Sequence, residues 1–485
     1  MLWFIAFAAF VAGAVAAWYY ARRGLTLSHY DAKGHLVVAR RIFDSLTPGW
    51  RQIGAVWLPL PHLLNALPVQ VDPWYRTGAS GVFISLVSFV AATTGLAWLV
   101  HRATGSAWAA AAAAVVLASD PNLLYLQGTP MTEALLLAAM VLATALTWRW
   151  LAGESASPHG AGAALAAACL TRYEAWPFGT ALVGLAGAAS LWQHRDLRVA
   201  WSRAWPLGAY FLATIVAFLC LSRATVGEWF VTGGFFVPQN AALGKPVEAA
   251  TEVWRGVLRL QGTATLTLAV VGLAVLLVSA ARDRRRAPAL VVLALVACAA
   301  LPWYAFYEGH PFRIRYMVVL AAAVAGCAGM GLGPLPRRLQ ALGAVALTLA
   351  TLLETPPISA TAPMVQEAQW DVPNSLARQA VTACLSREFV RPDDKILASM
   401  GSLAHYMQEL SRAGFALDDF VHEGIGELWP EALLSPRRHV RWVLFEEIAE
   451  GGDMLTAMRK RDARFVDGFD RVCSGGGVAL YRRRQ

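Results

Sequence analysis

Asp31 is the acidic residue best placed for chemistry, because it follows the first apolar run of the chain by only a few residues. A carboxylate held near lipid is costly unless it has a function, and it can accept a proton from a substrate. Tyr30 beside it and His62 later in the stretch 25–64 are candidate substrate contacts. The structural alternative is that Asp31 caps a helix beginning near Ala32.

Asp120 and Glu133 are two further acids at the ends of apolar runs. Together with the acid of the first loop they could bind a hard divalent cation, Mg²⁺ or Mn²⁺, which accepts oxygen ligands and retains water for a phosphate group. No organic cofactor is expected. Structural alternatives are a helix start at the Asp-Pro pair, and a capping box from Thr129 to Glu133 if Pro130 is the first helical residue.

Arg172, Tyr173 and Glu174 interrupt apolar sequence without a polar loop around them. An arginine in such a place pairs with a neighbouring acid such as Glu174 or holds an anionic group of a substrate, and both alternatives stay open here. Tyr173 and Glu174 are also candidate substrate contacts.

Two segments between apolar runs add further candidate residues. His310, Arg313 and Arg315 could hold a phosphate in the headgroup plane, or could simply anchor the chain at the membrane interface. Gln239 and Asn240 end an aromatic, glycine-started loop, and could bind sugar hydroxyls or belong to a plain re-entrant turn.

The composition is that of an integral membrane protein. The 485 residues are 57% hydrophobic and 15% charged, with a mean hydropathy of +0.47, which is more apolar surface than a soluble core can bury. The net charge of +9 comes from short basic clusters between apolar runs, so it indicates membrane topology rather than nucleic-acid binding. The first run resembles a signal peptide in its small residues, but it lacks a basic start and is long enough to span, so we expect a retained helix.

About eleven apolar runs could cross a bilayer. They lie at about 2–20, 78–100, 106–119, 133–151, 160–175, 176–192, 205–222, 262–281, 288–306, 316–334 and 339–355.

Short basic loops alternate with loops that carry most of the acids. By the positive-inside rule the basic loops face the cytoplasm, so 21–77, 120–132, the break at 172–174, 223–261, 307–315 and everything after 355 face outward. Arg22 and Arg23 oppose this orientation, and the basic segment 310–316 also departs from the sign expected of an outer loop. The predicted localisation is a bacterial cytoplasmic membrane, with the site and the C-terminal domain on the exterior or periplasmic side.

The composition changes after the last apolar run, where eighteen of the thirty-two acids lie. We therefore divide the chain into a membrane domain at 1–355, which includes the outer loop 21–77, a linker at 356–370, and a small soluble α/β domain at 371–485. Strands are predicted at 395–400, 440–447 and 477–483, and an amphipathic helix at 402–414. Cys384 and Cys473 would lie in an oxidising compartment, where a disulfide between them is plausible.

This pattern resembles the GT-C superfamily of integral membrane glycosyltransferases, in the branch that contains protein O-mannosyltransferases and lipid A aminoarabinose transferases. The resemblance covers roughly 1–355 and rests on Tyr30-Asp31, on the sequence TPMTE at 129–133, and on the terminal outer domain. Ala32 stands where many relatives have a second acid, and Thr-Glu opens the fourth span where Pro-Asp is typical.

The resemblance implies a mainly α, GT-C-like bundle that transfers a hexosyl or pentosyl group, with inversion, from a polyprenyl-phosphate donor to a lipid, glycan or protein acceptor of the cell envelope. Asp31 would be the general base, with Glu133 or Asp120 supporting it directly or through a metal. The candidates for the donor phosphate are Arg172, Arg313, Arg315 and His310. Membrane lipids are the expected surroundings, no nucleic acid is expected, and the oligomeric state is left open.

Two other classes of function compete with this one. A transporter or flippase of lipid-linked saccharides would also use outer basic groups, but it should carry polar residues near the middle of its spans. Those middles are almost purely Ala, Leu and Val here. A membrane-anchored envelope scaffold would leave Asp31, Arg172 and Glu133 unexplained.

Overall fold

The structure is a computed structural model that describes residues 1–231 and 240–484. The described residues are mainly helical. The helices in chain order are α1 (Leu2–Arg22), α2 (Tyr30–Arg40), α3 (Leu60–Asn65), α4 (Asp72–Thr77), α5 (Ala79–Thr104), α6 (Ala107–Ala118), α7 (Pro121–Leu126), α8 (Glu133–Leu151), α9 (His159–Cys169), α10 (Ala175–His194), α11 (Leu197–Val226), α12 (Pro246–Gln261), α13 (Thr263–Arg282), α14 (Ala300–Tyr307), α15 (Arg315–Val318), α16 (Ala321–Leu332), α17 (Arg337–Glu354), α18 (Pro363–Glu367), α19 (Val372–Glu388), α20 (Met400–Leu410), α21 (Leu428–Leu434), α22 (Pro436–His439) and α23 (Met454–Arg461).

Several segments have 3-10 geometry. The longest, Arg284–Ala299, leads directly into α14. The shorter ones are Trp50–Ile53, Pro68–Gln70, Ser411–Ala413, Leu417–Asp419, Ala449–Gly451 and Ala463–Val466.

The chain divides into two compact units. The first comprises Met1–Arg23, Val82–Leu221 and Trp229–Glu367, and the second comprises Gly24–Gly81, Ser222–Glu228 and Ala368–Gln485. The stretch 24–81 therefore groups with the C-terminal residues, whereas the sequence pattern predicted it as part of the membrane domain. The division into functional domains stays a prediction.

The first unit contains the apolar helices. Within the described residues, seven helical segments are long and apolar enough to cross a membrane: Leu2–Arg22, Ala79–Thr104, Glu133–Leu151, Leu197–Val226, Thr263–Arg282, Arg284–Tyr307 and Arg315–Leu332.

The predicted count of eleven spans is not confirmed. Helices do occur at the other four positions, but α6 and α9 have only 12 and 11 residues. At 1.5 Å per residue they rise about 18 and 17 Å, short of the roughly 30 Å of a hydrocarbon core.

The second unit carries a five-stranded sheet, as the predicted α/β domain requires. Its strands are β1 (Ile396–Leu397), β2 (Phe420–Val421), β3 (Trp442–Glu446), β4 (Phe469–Gly475) and β5 (Val478–Arg483), in the order β2-β1-β3-β5-β4. β1 pairs in parallel with β2 and β3, while β5 runs antiparallel to β3 and β4. Every residue of β3 is buried, which explains its continuous apolar run.

Helix and sheet are joined in this unit by a covalent link. Cys384 in α19 and Cys473 in β4 form the disulfide that the sequence made plausible. The core beside β3 is built from apolar side chains that include Leu397, Val421 and Phe445.

Candidate functional site

Asp31 lies in the second unit as the second residue of α2. The N-cap of that helix is His29, whose Nδ1 accepts a hydrogen bond from the Asp31 backbone N–H at 3.1 Å. The alternative that Asp31 itself caps the helix is therefore wrong. Its side chain is buried, with 6% exposure, in the first helical turn, where the unsatisfied backbone N–H groups favour a negative charge.

Tyr30 and His62 occupy packed positions in the same unit. The Tyr30 ring stacks on His29 at 4.9 Å and meets Trp370 edge-on at 5.4 Å. His62 Nδ1 lies 3.2 Å from the Leu58 carbonyl and its Nε2 lies 3.0 Å from His35 Nδ1. A carbonyl only accepts, so Nδ1 of His62 is the donor and its Nε2 accepts from His35. Both ring nitrogens are thus engaged within the loop.

Arg172 in the first unit lies between α9 and α10 and bonds two carboxylates. Its Nη1 is 3.0 Å from Glu133 Oε1, and its Nη2 is 2.7 Å from Glu174 Oε1. The same Nη1 donates to Thr132 Oγ1 at 3.1 Å. The pairing of Arg172 with Glu174 is therefore observed, with Glu133 as a second partner.

The start of α8 differs from the capping-box alternative. The helix begins at Glu133, and its N-cap Thr132 makes no side-chain capping bond. Thr129 instead donates its hydroxyl to the Leu126 carbonyl at 2.6 Å. Glu133 is fully buried, so its charge is balanced by Arg172 rather than by a helix cap.

Asp120 is the N-cap of α7, as the Asp-Pro signal indicated. Its Oδ1 accepts from the backbone N–H groups of Asn122 and Leu123, and its Oδ2 accepts from Gln261 Nε2 at 2.5 Å. Burial raises the pKa of this carboxyl, and those bonds oppose the rise.

The two acids of the predicted metal site differ in their contacts. Both oxygens of Asp120 accept hydrogen bonds, whereas Glu133 is ion-paired with Arg172 but neither of its buried oxygens accepts a hydrogen bond from the described residues. No group of three or more His, Cys, Asp or Glu side chains suited to a metal ion occurs among residues 1–231 and 240–484. Metal dependence stays a prediction.

The basic segment after α14 contacts an acid that sequence reasoning missed. Glu367 Oε2 accepts from the Ile314 backbone N–H at 2.6 Å. Burial raises the pKa of Glu367, and Arg315 followed by Arg313 opposes that rise, so both arginines lie within electrostatic reach of it. Glu367 is 53 residues from Ile314 in the sequence and follows a proline-rich stretch, so no local pattern predicted this contact.

His310 is held within the same segment. Its Nδ1 lies 2.8 Å from the Pro311 carbonyl, and its Nε2 lies 3.3 Å from the Tyr316 hydroxyl. Asn240 Nδ2 donates to the His310 carbonyl, which brings these two predicted residues together. Gln239 lies outside the described residues.

Tyr173 lies in an aromatic cluster of the first unit. Its ring meets Trp176 at 5.2 Å and Phe230 at 5.5 Å, in both cases edge to face. The roles of all these residues in binding or catalysis remain predictions.

Comparison with known proteins gives two kinds of match. The sequence model of a family described as dolichyl-phosphate-mannose-protein mannosyltransferase matches residues 72–233. No protein with a curated description matches the sequence.

Two solved structures share the fold over nearly the whole chain. One is ArnT from Cupriavidus metallidurans in the apo state, with 13% identity, a TM-score of 0.57, and coverage of 97% of this chain and 96% of that one. The other is the same protein bound to undecaprenyl phosphate, with 15% identity, a TM-score of 0.56 and 97% coverage of both chains. The chain therefore has an ArnT-like fold.

Proposed function

We propose that the chain is an integral membrane glycosyltransferase of the GT-C superfamily, which transfers a sugar from a polyprenyl-phosphate donor to an acceptor of the cell envelope. The observation that carries the proposal is the match of residues 72–233 to a family that uses dolichyl-phosphate mannose. The ArnT-like fold supports it, since one ArnT structure binds undecaprenyl phosphate.

The chemistry requires one base and stabilisation of a leaving phosphate. A lipid phosphate leaves as an anion without protonation, unlike the leaving group in a glycosidase, where a second carboxyl acts as the acid. Asp31 is our candidate to take the proton from the acceptor hydroxyl or amine while the acceptor attacks the anomeric carbon with inversion. The polyprenyl phosphate then departs with the bonding electrons.

Cationic groups are needed where the phosphate charge develops. The candidates are Arg172, which bonds two buried carboxylates, and Arg313 and Arg315, which lie within electrostatic reach of Glu367. His310 lies in the same segment of the sequence as Arg313 and Arg315. Glu133 fits a supporting role through Arg172, whose orientation it helps to fix. These assignments and the outward orientation of the site are part of the proposal.

The test is donor turnover by the purified protein in proteoliposomes. Undecaprenyl phosphate carrying mannose, another hexose or aminoarabinose is supplied with an envelope lipid extract, and released undecaprenyl phosphate is measured by mass spectrometry. We expect release from one of these donors, together with label in a heavier lipid or glycan product. Transbilayer movement of an intact donor without release would instead indicate a flippase.

A further inference from the structure

One turn of α20 in the C-terminal part of the chain packs on the turn of α2 that contains Asp31, within the second unit. Gly34 lies next to this contact: a Cβ there would come within 2.8 Å of Trp57 Cη2, whereas it would be at an ordinary van der Waals distance, 4.0 Å, from Ala404 Cβ of α20.

Two side chains of α20 contact the residues on either side of Asp31. The His405 ring meets the Tyr30 ring edge-on at 6.3 Å, and Glu409 Oε1 lies 2.5 Å from Lys33 Nζ. His405 and Glu409 are four residues apart, and Tyr30 and Lys33 are three apart, so each pair occupies one helix face. The α20 face therefore holds α2 immediately before and after the proposed base.

Glu409 is the centre of a buried ionic network that fixes this face. It accepts from Ser375 Oγ at 2.8 Å and from Arg378 Nη2 at 2.9 Å, in addition to Lys33. Arg378 is 1% exposed and also bonds Asp371 through Nη2 at 2.7 Å. Two cations and two carboxylates thus balance, which satisfies the requirement that buried charges be paired.

The charges of this network persist at neutral pH. Burial alone would raise the pKa of Glu409, but its bonds to Arg378 and Lys33 lower it to about 2. Glu409 is therefore ionised at neutral pH.

We propose that the His405–Glu409 turn of α20 is a positioning element for Asp31, which acts through Tyr30 and Lys33 and makes the C-terminal domain necessary for catalysis. The catalytic part of this inference rests on the proposed function. The structural part of the inference, that α20 holds α2 in place, does not depend on the proposed function. Misplacement of a reacting group by about 1 Å can cost a hundredfold in rate, so such a support has kinetic consequences.

The experiment is a double-mutant cycle in the full-length protein. Lys33→Met and Glu409→Gln should each lower kcat about tenfold or more, and the double variant should fall no further than Glu409→Gln alone, because both changes remove the Lys33–Glu409 contact and Glu409→Gln also alters the bonds to Ser375 and Arg378. Lys33→Arg, which keeps the ion pair, should retain most of the activity. Arg459→Gln is the matched control, since it breaks a half-buried ion pair with Glu447 elsewhere in the same unit and should leave kcat unchanged.

Two further readouts separate positioning from the alternatives. Affinity for undecaprenyl phosphate should stay within about twofold, because Lys33 is engaged with Glu409 rather than with the donor. Amide hydrogen exchange over residues 30–40 should be faster in Lys33→Met, Glu409→Gln and the double variant, but not in Arg459→Gln.

Three results would overturn the inference: multiplicative losses in the double variant, weakened undecaprenyl phosphate binding in Lys33→Met, or unchanged exchange over 30–40. Failure of the proposed function looks different. In that case the wild type transfers no sugar, while the exchange experiment still gives the predicted pattern.

Discussion

At the scale of single residues, the buried charges are the features with the clearest energetic consequences. Arg172 forms ion pairs with two carboxylates, Glu133 and Glu174, that are 0% and 2% exposed. A buried charge that loses its partner is far costlier than the ion pair is favourable, so the cluster depends on the arginine.

Arg172→Gln should therefore destabilise the protein by about 3–5 kcal/mol. The measurement is the thermal unfolding midpoint in detergent, with Arg149→Gln as control, since Arg149 is an exposed arginine at the end of α8. Equal midpoints for the two variants would show that the two acids do not need Arg172.

Two buried histidines of the second unit give a stability that depends on pH. Burial, with Arg41 adding to it, lowers the pKa of His62 and of His422 from 6.5 to about 3 in each case. Below pH 6.5 these histidines are protonated in the unfolded chain but stay neutral in the folded chain. Their contribution to the free energy of unfolding is therefore present above pH 6.5 and is lost as the pH falls toward 3.

Between pH 6.5 and 4.5 each histidine should lower the free energy of unfolding by about 1.4 kcal/mol for every unit by which the pH falls. Unfolding followed at pH 7 and pH 5 should show this loss, and it should be smaller in His62→Gln and His422→Gln. Glu409 does not contribute in this window, because its lowered pKa affects stability only below 4.5. A pH-independent midpoint would contradict the neutral, buried state of these rings.

At the scale of elements, the disulfide between α19 and β4 ties the helix that carries Arg378 to the sheet. It closes a loop of 89 residues. Because it restricts the unfolded chain, the disulfide should raise the free energy of unfolding by about 2–4 kcal/mol. The Cys384→Ala/Cys473→Ala variant should accordingly unfold at lower temperature, and reduction should lower the wild-type midpoint by a similar amount. Alkylation of both cysteines without reductant would show that the bond is absent.

Local sequence patterns predicted the elements well where the signal lay within one segment. The strands at 396–397, 442–446 and 478–483 and the helix at 400–410 fall inside the predicted ranges or close to them, because burial and turn residues mark them locally. The contact of Arg172 with Glu174 was foreseeable, since the two residues are neighbours.

Contacts between distant segments could not be predicted in the same way. Lys33 and Glu409 are 376 residues apart, and Ile314 and Glu367 are 53 apart, with nothing in either local sequence to link them. The N-cap of α2 was predicted wrongly for another reason. Aspartate is a much more common N-cap than histidine, which favoured Asp31, but the residue that caps the helix is His29.

At the scale of the whole molecule, the arrangement across the membrane is the feature with the widest consequences. The chain is a multi-pass membrane protein, and we propose that the second unit faces outward. The disulfide agrees with an oxidising compartment.

Cysteine labelling in intact cells tests this orientation. A membrane-impermeant maleimide should label Asp393→Cys in the C-terminal domain and should not label Ala156→Cys in the loop between α8 and α9, although both positions are exposed. After cell lysis both should react. The reverse pattern would place the proposed base in the cytoplasm and would remove the basis for an outer-face reaction.

The most direct test of the central claim is the sugar-transfer rate of Asp31→Asn, measured in proteoliposomes with the donor that the wild type uses. Loss of a general base should lower the rate by at least about a hundredfold, while folding and undecaprenyl phosphate binding stay as in the wild type. Asp393→Asn, which alters an exposed acid of the same unit, serves as the control and should keep its activity. An Asp31→Asn protein that folds, inserts and transfers sugar at the wild-type rate would contradict the account.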